Sequence, residues 1–294
     1  MIYWAVVCAV AFDAVCCSYR TSGGGIYMIG KRLGQGNTAE VYAWGKDRVI
    51  KLFRHSSFDP WMEKEYQLSL YVSQLGLPVP RVFGIEEVKG KRGIVFERLE
   101  GHTQIRQLVS RPWSARAEGR RLAEWHAVIH QEQGESSMPK RKLSLQEAIE
   151  HTSLLSAAEK SAILKRLAQL PEQDALCHGD FHPDNLMMTS RGPVILDWMT
   201  ATSGHPYSDA ARTVLLLTHA VLPSSMPKLV KLMITRLRAA LCQAYKERYM
   251  EMTGATEAEL QAWELPLAAA RLVESVPAEE KQVLLGVIRR SLQK

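Results

Sequence analysis

The strongest constraint on this 294-residue chain is a change of hydrophobic period near Gly101. Before that point, apolar residues come in short strand-like runs; after it, they recur at the three-and-four spacing of amphipathic helices. A segregated pattern of this kind predicts an α+β chain with a small antiparallel sheet lobe followed by a larger helical lobe. No segment recurs at a fixed spacing, so a repeat array does not fit. Strands are expected over 27–33, 40–44, 48–53, 81–88 and 93–99. One helix interrupts them over 60–75, with Pro60 suited to a first turn and Gly76 to a stop. Helices are expected over 113–131, 156–170, 209–220, 227–252, 257–275 and 277–292. Ser156 and Glu159 form a capping-box pattern at the second of these starts.

The chain divides into residues 26–99 as the sheet lobe and 100–294 as the helical lobe, with a polar loop-and-strand insert at 176–198. Residues 1–25 stand apart. Their apolar run, Ile2 to Phe12, is too short to span a bilayer, and no basic residue precedes it. The segment is expected to be a dispensable leader, with Met28 as the working start. The net charge of +6 comes from Lys and Arg scattered among Glu, a solvated surface. The cluster Lys140, Arg141, Lys142 lacks interleaved aromatics, so it is not a nucleic-acid footprint. Five cysteines without a C-x-x-C pair disfavour a disulfide framework or structural zinc and suggest a reducing cytoplasm.

The turn at Gly34 and Gly36 reads G-x-G-x-x-A-x-V, which lets backbone N–H groups approach phosphate oxygens. Alone it is weak, since most such pairs are only turns. A Rossmann reading fails because a strand follows, and a Walker A reading fails without Gly-Lys-Ser/Thr. Lys51 sits in an apolar strand downstream, where it can reach phosphates if a helix carboxylate orients it. Glu65 is the expected carboxylate, with Glu63 as competitor.

The most specific stretch runs from Cys177 to Asn185, followed by Val194 to Trp198. Asp180 fits H-x-D-x-x-x-x-N as catalytic base or positioning group, and Asn185 fits as a Mg²⁺ ligand. Asp197 ends an apolar strand, where a second, charged metal ligand belongs. The alternation of His178, Asp180, His182 and Asp184 also allows a transition-metal cluster, against which Pro183 and the hard oxygen donors argue. His178 is read as a residue bracing the loop. Asp209 is read as a helix cap, with a bracing contact to the loop as the alternative.

Together these residues make the chain resemble the aminoglycoside phosphotransferase family, whose relatives include choline, homoserine and thiamine kinases. The resemblance runs from Met28 to Thr213 and is most specific over His178 to Asn185 and Ile195 to Trp198. It implies a protein-kinase-like two-lobed fold, ATP and Mg²⁺ as cofactors, and transfer of the γ-phosphate to a hydroxyl of a small-molecule acceptor such as an aminoglycoside, choline-like or thiamine-like compound. It implies Asp180 as the catalytic Asp, Asn185 and Asp197 as metal ligands, and Lys51 with Glu65 at the phosphates. Phe96, Glu97 and Arg98 become the hinge that meets adenine. Ala39 departs from the third glycine of protein kinases.

A protein kinase is one alternative, weakened by the short span from Asp197 to Asp209 and the lack of A-P-E. A non-catalytic nucleotide-binding module is another. Trp263, Glu264, Arg271 and Glu274 form the most polar-aromatic cluster after Asp209 and are the candidate acceptor site, although helix packing would also account for them. No membrane, protein or nucleic-acid partner is implied beyond the nucleotide.

Overall fold

The computed structural model describes residues 17–20, 26–36, 38–222 and 225–293. The chain opens with strands β1 (Cys17–Arg20), β2 (Ile26–Gln35), β3 (Ala39–Trp44) and β4 (Arg48–Phe53). Helix α1 (Asp59–Gln74) precedes β5 (Val82–Val88), β6 (Lys91–Glu97) and β7 (Gly101–Thr103). Helices α2 (Gln104–Ser110), α3 (Ala115–Ile129), α4 (Arg141–His151) and α5 (Ala157–Gln169) follow. Then come β8 (Ala175–Cys177), β9 (Leu186–Thr189), β10 (Gly192–Ile195) and β11 (Thr202–Gly204). The chain ends in α6 (Pro206–His219), α7 (Lys228–Thr253), α8 (Glu257–Ala262), α9 (Glu264–Arg271) and α10 (Ala278–Leu292).

Two compact units result. The first holds the described part of Trp4–Thr103 together with Asn185–Thr200. Its main sheet has the order β1-β2-β3-β4-β6-β5, and every pairing is antiparallel. Alternation along β3, β4 and β6 explains the two faces. Trp44, Ile50, Leu52 and Val95 pack on one side, while Ala39, Phe53 and Ile94 meet Met62 of α1 on the other. The β5–β6 hairpin turns through Lys89 and Gly90, both with positive φ, as a two-residue primed turn requires. Helix α1 carries Pro60 in its first turn and buries Met62, Glu65, Ser69 and Val72, one stripe at helical spacing.

Residues 185–200 join this unit rather than the helical part, so its boundary departs from the division at 99/100. The reason is backbone pairing. β9 lies between β7 and β10, and the Ile195 N–H donates to the Pro78 carbonyl at 2.7 Å. Of the expected leader, only 17–20 is described, as a strand paired to β2; residues 1–16 and 21–25 lie outside the described residues.

The second unit holds Gln104–Asp184 and Ala201–Lys294. Its core gathers Ile149 of α4, Ile163 of α5, Leu267 to Ala269 of α9, and Leu284 and Ile288 of α10. β8 and β11 form a two-stranded antiparallel ladder with Cys177 opposite Thr202. Three expected helix boundaries change. Trp113 lies in a short 3₁₀ turn, Pro112–Ser114, ahead of α3. The single helix expected over 257–275 is split at Trp263, because Pro266 has no N–H to offer the preceding turn. α6 starts at Pro206, with the His205 ring accepting the Tyr207 N–H at 3.2 Å, so Asp209 is not the cap. Helices α2 and α4 were not expected from the periodicity, and α4 lacks a side-chain cap. Among the described residues no helix is long and apolar enough to cross a membrane.

Candidate active site

Within the sheet unit, the ladder sets Lys51 opposite Val41 on one side and Ile94 on the other. Its Nζ reaches Glu65 Oε1 of α1 at 2.7 Å and Asp197 Oδ1 at 3.1 Å. Burial works against the ammonium charge, but the Asp197 and Glu65 carboxylates outweigh it and hold the Lys51 pKa above its ordinary range. Glu65 is buried, which pushes its carboxyl pKa up against the pull of Lys51, and its Oε2 is buried without a hydrogen-bond partner. Glu63 is directed elsewhere, to Arg92 at 2.6 Å.

Asp197 has φ of 62°, a left-handed conformation that a non-glycine residue adopts at a cost of order 1–3 kcal/mol. Its side chain is still 44% exposed. Asn185 is buried, and its carbonyl accepts the Leu196 N–H at 2.9 Å, which ties the two candidate metal-ligand segments together. Gly34 and Gly36 lack positive φ, and an added Cβ would make only ordinary contacts at 3.7 and 3.6 Å. The fold therefore does not demand glycine at either position. In the candidate hinge, the Glu97 N–H goes to Arg81 O and the Arg98 N–H to Asp47 O, while the Glu97 carboxylate binds Arg191. Phe96 packs against the α1 side of the sheet.

Within the helical unit, the candidate catalytic loop follows β8. Asp209 of α6, fully buried, accepts the backbone N–H of His178 and, at 2.8 Å, that of Gly179. Two imidazoles also face it: His126 Nε2 lies 3.0 Å and His130 Nε2 3.3 Å from its Oδ2. The other ring nitrogens meet Tyr245 and Tyr249 hydroxyls of α7, each at 2.7 Å. Burial and the neighbouring His130 push the His126 pKa down to about 3, so the ring is neutral; its Nε2–H donates to Asp209 and its Nδ1 accepts from Tyr245. Burial opposes the Asp209 charge, but His126 and His130 hold its carboxyl pKa well below the usual range.

Farther along the loop, His178 Nδ1 accepts the Asp180 N–H at 3.3 Å, and Thr213 Oγ1 donates to Phe181 O at 2.7 Å. The Asp180 carboxylate lies 3.4 Å from His182 Nε2 and 3.5 Å from the Arg212 guanidinium. Burial opposes its ionisation, yet His182 and Arg212 keep its pKa far below the ordinary carboxylate range. Arg212 also grips Glu274 at 2.6 and 3.0 Å.

Two members of the expected acceptor cluster require correction. Trp263 is 1% exposed in the helical core, with the His205 ring tilted against it at 5.8 Å, so its ring has no face for a ligand. Arg271 is buried between Glu274 and Glu280 at 2.6 and 2.7 Å. Of the remaining two, Glu274 joins Arg212 beside Asp180, and Glu264 faces His219 at 3.3 Å. Sequence reading passed over Arg212, His126, His130, Tyr245 and Tyr249. Their signal was spacing: Asp209 and Arg212 are three apart on one helix, and the His and Tyr pairs are each four apart.

Among the described residues, the group whose ligand atoms lie within 4.8 Å of one another is His126, His130 and Asp209, not the alternating loop residues. Both ring nitrogens of each His already have hydrogen-bonding neighbours, as a bracing network would use them.

A model of the Phosphotransferase enzyme family (APH) matches residues 29–263. No curated protein matches the chain. A thermostable mutant of aminoglycoside phosphotransferase APH(4)-Ia, solved in ternary complex with ADP and hygromycin B, aligns at TM-score 0.61 and 16% identity, covering 90% of this chain and 92% of that one. The ternary complex of APH(2″)-IIa with streptomycin and ATP aligns at 0.54 and 13%, covering 88% and 90%. A choline/ethanolamine kinase family protein from Mesorhizobium loti aligns at 0.54 and 16%, covering 90% and 87%. At these identities the structural likeness speaks for the fold, a kinase-like one with a small antiparallel sheet and a larger helical part. With the family model spanning most of the chain, the protein belongs to the Phosphotransferase enzyme family.

Proposed function

We propose that this chain transfers the γ-phosphate of ATP, with Mg²⁺, to a hydroxyl of a small molecule. The observation that carries the reading is Lys51, held at 2.7 Å by Glu65 and at 3.1 Å by Asp197. A partly buried lysine kept cationic by two carboxylates, one of them half-exposed in a strained conformation, suits a phosphate contact beside a metal ligand. The donor set fits Mg²⁺: Asn185 and Asp197 offer hard oxygens. Bound there, the ion would neutralise charge on the transferring phosphoryl group. Lys51 would bind phosphate oxygens, and Gly34 and Gly36 would leave room for the turn's backbone to approach them. Since the Glu97 and Arg98 amides are already used, adenine would meet the hinge through its carbonyls or the Leu99 N–H.

Asp180 is the proposed catalytic residue. A carboxylate with so low a pKa is a weak base, so its part is to orient the acceptor hydroxyl and take its proton late in transfer. His178 and Asp209 are positioning residues that hold the loop through its backbone. The acceptor belongs to the classes that the family resemblance suggests: an aminoglycoside, a choline-like amine or a thiamine-like compound. With Trp263 unavailable, a cation-binding role falls to carboxylates such as Glu264 and Glu274.

The test is ADP release with Mg²⁺ across amino sugars, amino alcohols, homoserine and thiamine. Asp180→Ala should abolish transfer and leave nucleotide binding intact, whereas Asp197→Ala should weaken both. ATP binding without turnover of any acceptor would instead support a non-catalytic module, and near-normal turnover by the Asp180 variant would remove it from its role.

A further inference from the structure

A row of alternating charge runs through the helical unit from Asp180 to the start of α10. Asp180 lies 3.5 Å from Arg212 of α6, and Arg212 holds both carboxylate oxygens of Glu274, just after α9, at 2.6 and 3.0 Å. Glu274 in turn accepts from Arg271 at 2.6 Å. Arg271 donates its Nε–H to Glu280 of α10 at 2.8 Å, and Glu280 accepts the Val221 N–H at 3.3 Å. Arg212, Arg271 and Glu280 are buried, and the alternation of sign offsets the desolvation that each charge would suffer alone.

The far end of the row, Arg271 with Glu280, ties α9 to α10. Its near end differs, because it stops at a side chain that is 30% exposed and proposed to be catalytic. Arg212 divides its pairing unevenly there. Its Nε is buried without a partner, so among the described residues its ion pairs come from the two terminal nitrogens alone. Both reach Glu274, whereas only one reaches Asp180, through Oδ1 and at the limit of hydrogen-bond length. Burial opposes the guanidinium charge, but Glu274 first and Asp180 second hold its pKa above the ordinary range. Arg271 and, behind it, Glu280 keep Glu274 on its own side of the guanidinium.

We propose that Arg212 is a positioning residue for Asp180 and that Glu274 restrains it, its two-pronged grip keeping the guanidinium from closing at full strength on the Asp180 carboxylate. The inference rests on the reading of Asp180 as the catalytic residue. In transfer, the acceptor oxygen bonds the γ-phosphorus while the bond to the bridging oxygen breaks, its electron pair leaving with ADP, and the hydroxyl proton passes to Asp180. A carboxylate oxygen in a short charge-assisted bond to arginine takes that proton less readily. One touched at 3.5 Å is oriented and keeps more of its basicity. Glu274 thereby tunes a group to which it makes no bond.

Glu274→Gln, Arg212→Met and the two combined, each in the full chain, test this by ADP release from Mg²⁺-ATP with the fastest acceptor among amino sugars, amino alcohols, homoserine and thiamine. Glu274→Gln should lower kcat about ten-fold or more with the KM for ATP unchanged. Arg212→Met, although nearer to Asp180, should lower it less, and the double variant should recover to the Arg212→Met level. A purely structural ion pair would lower urea midpoints and leave the kcat of the folded enzymes alone. Arg212→Met as damaging as Glu274→Gln, or a double variant no faster than Glu274→Gln, overturns the inference. The crystal structure of Glu274→Gln supplies a readout without an acceptor: Arg212 should close on Asp180 Oδ1 to about 2.8 Å, and an unmoved guanidinium refutes the restraint. If Glu274→Gln does not fold, Glu274→Asp decides, with its charge kept and its reach shortened; kcat should fall part-way, and a wild-type kcat refutes the restraint. Asp180→Ala separates this inference from the reading beneath it. Transfer retained in that variant removes both, whereas transfer lost there alongside a wild-type kcat in Glu274→Gln removes the inference alone.

Discussion

Acidification should loosen the helical unit through His126 before its partner Asp209 is protonated. The ring is fully buried, and its pKa in the fold is about 3. In the unfolded chain a histidine titrates near 6.5. Between those values unfolding takes up a proton, so stability rises with pH across the window and is lost as pH falls through it. The slope is about 1.4 kcal/mol per pH unit, and integrating from about pH 6.5 to 4.5 gives a loss of about 2 kcal/mol. Asp209 adds to this at lower pH: its depressed carboxyl contributes stability above the unfolded value of about 3.9, which is lost as pH falls toward its folded pKa. The assay is equilibrium urea unfolding at stepped pH, read by far-ultraviolet circular dichroism, which reports chiefly the helices. The control is His126→Gln, which keeps an N–H donor for Asp209 and cannot titrate. Wild type should lose about 2 kcal/mol more than this variant over the window. Parallel curves for the two proteins would refute the reasoning.

Other outcomes follow from the same geometry. Glu65→Gln should raise the KM for ATP about ten-fold or more, since a charged hydrogen bond to Lys51 is worth ~1.5–3 kcal/mol, while Glu63→Gln should leave it unchanged. Steady-state kinetics on the two variants separate them. Gly119→Ala should destabilise by about 1–3 kcal/mol in urea melts, because the new Cβ would meet the Leu241 carbonyl of α7 at 2.3 Å. Trp263→Phe should cost roughly 1–3 kcal/mol of stability without altering the acceptor KM, which marks it as core rather than acceptor site.

Where a pattern depends on neighbours in the chain, the primary structure displays it. The loop from His178 to Asn185 and the segment from Val194 to Trp198 carry their pattern in contiguous residues, although β10 ends at Ile195, two residues before Asp197, and the Ser156–Glu159 capping box is closed by atoms three residues apart. The alternation in β4 likewise separates Lys51 from the buried Ile50 and Leu52 without reference to any partner. Tertiary structure decided what depends on distant segments. Glu63 and Glu65 are equivalent in composition and differ by about 200° around α1, so only the sheet beneath the helix determines that one meets Lys51 and the other Arg92. Asp209 resembles a cap until α3 and the loop after β8 converge on it, and Trp263 looks available until α9 is enclosed on all sides. Arg212 and Glu274 lie 62 residues apart and meet only in the folded unit. Local sequence sets which groups a segment can offer, whereas burial and long-range pairing are properties of the packed chain that no single segment contains.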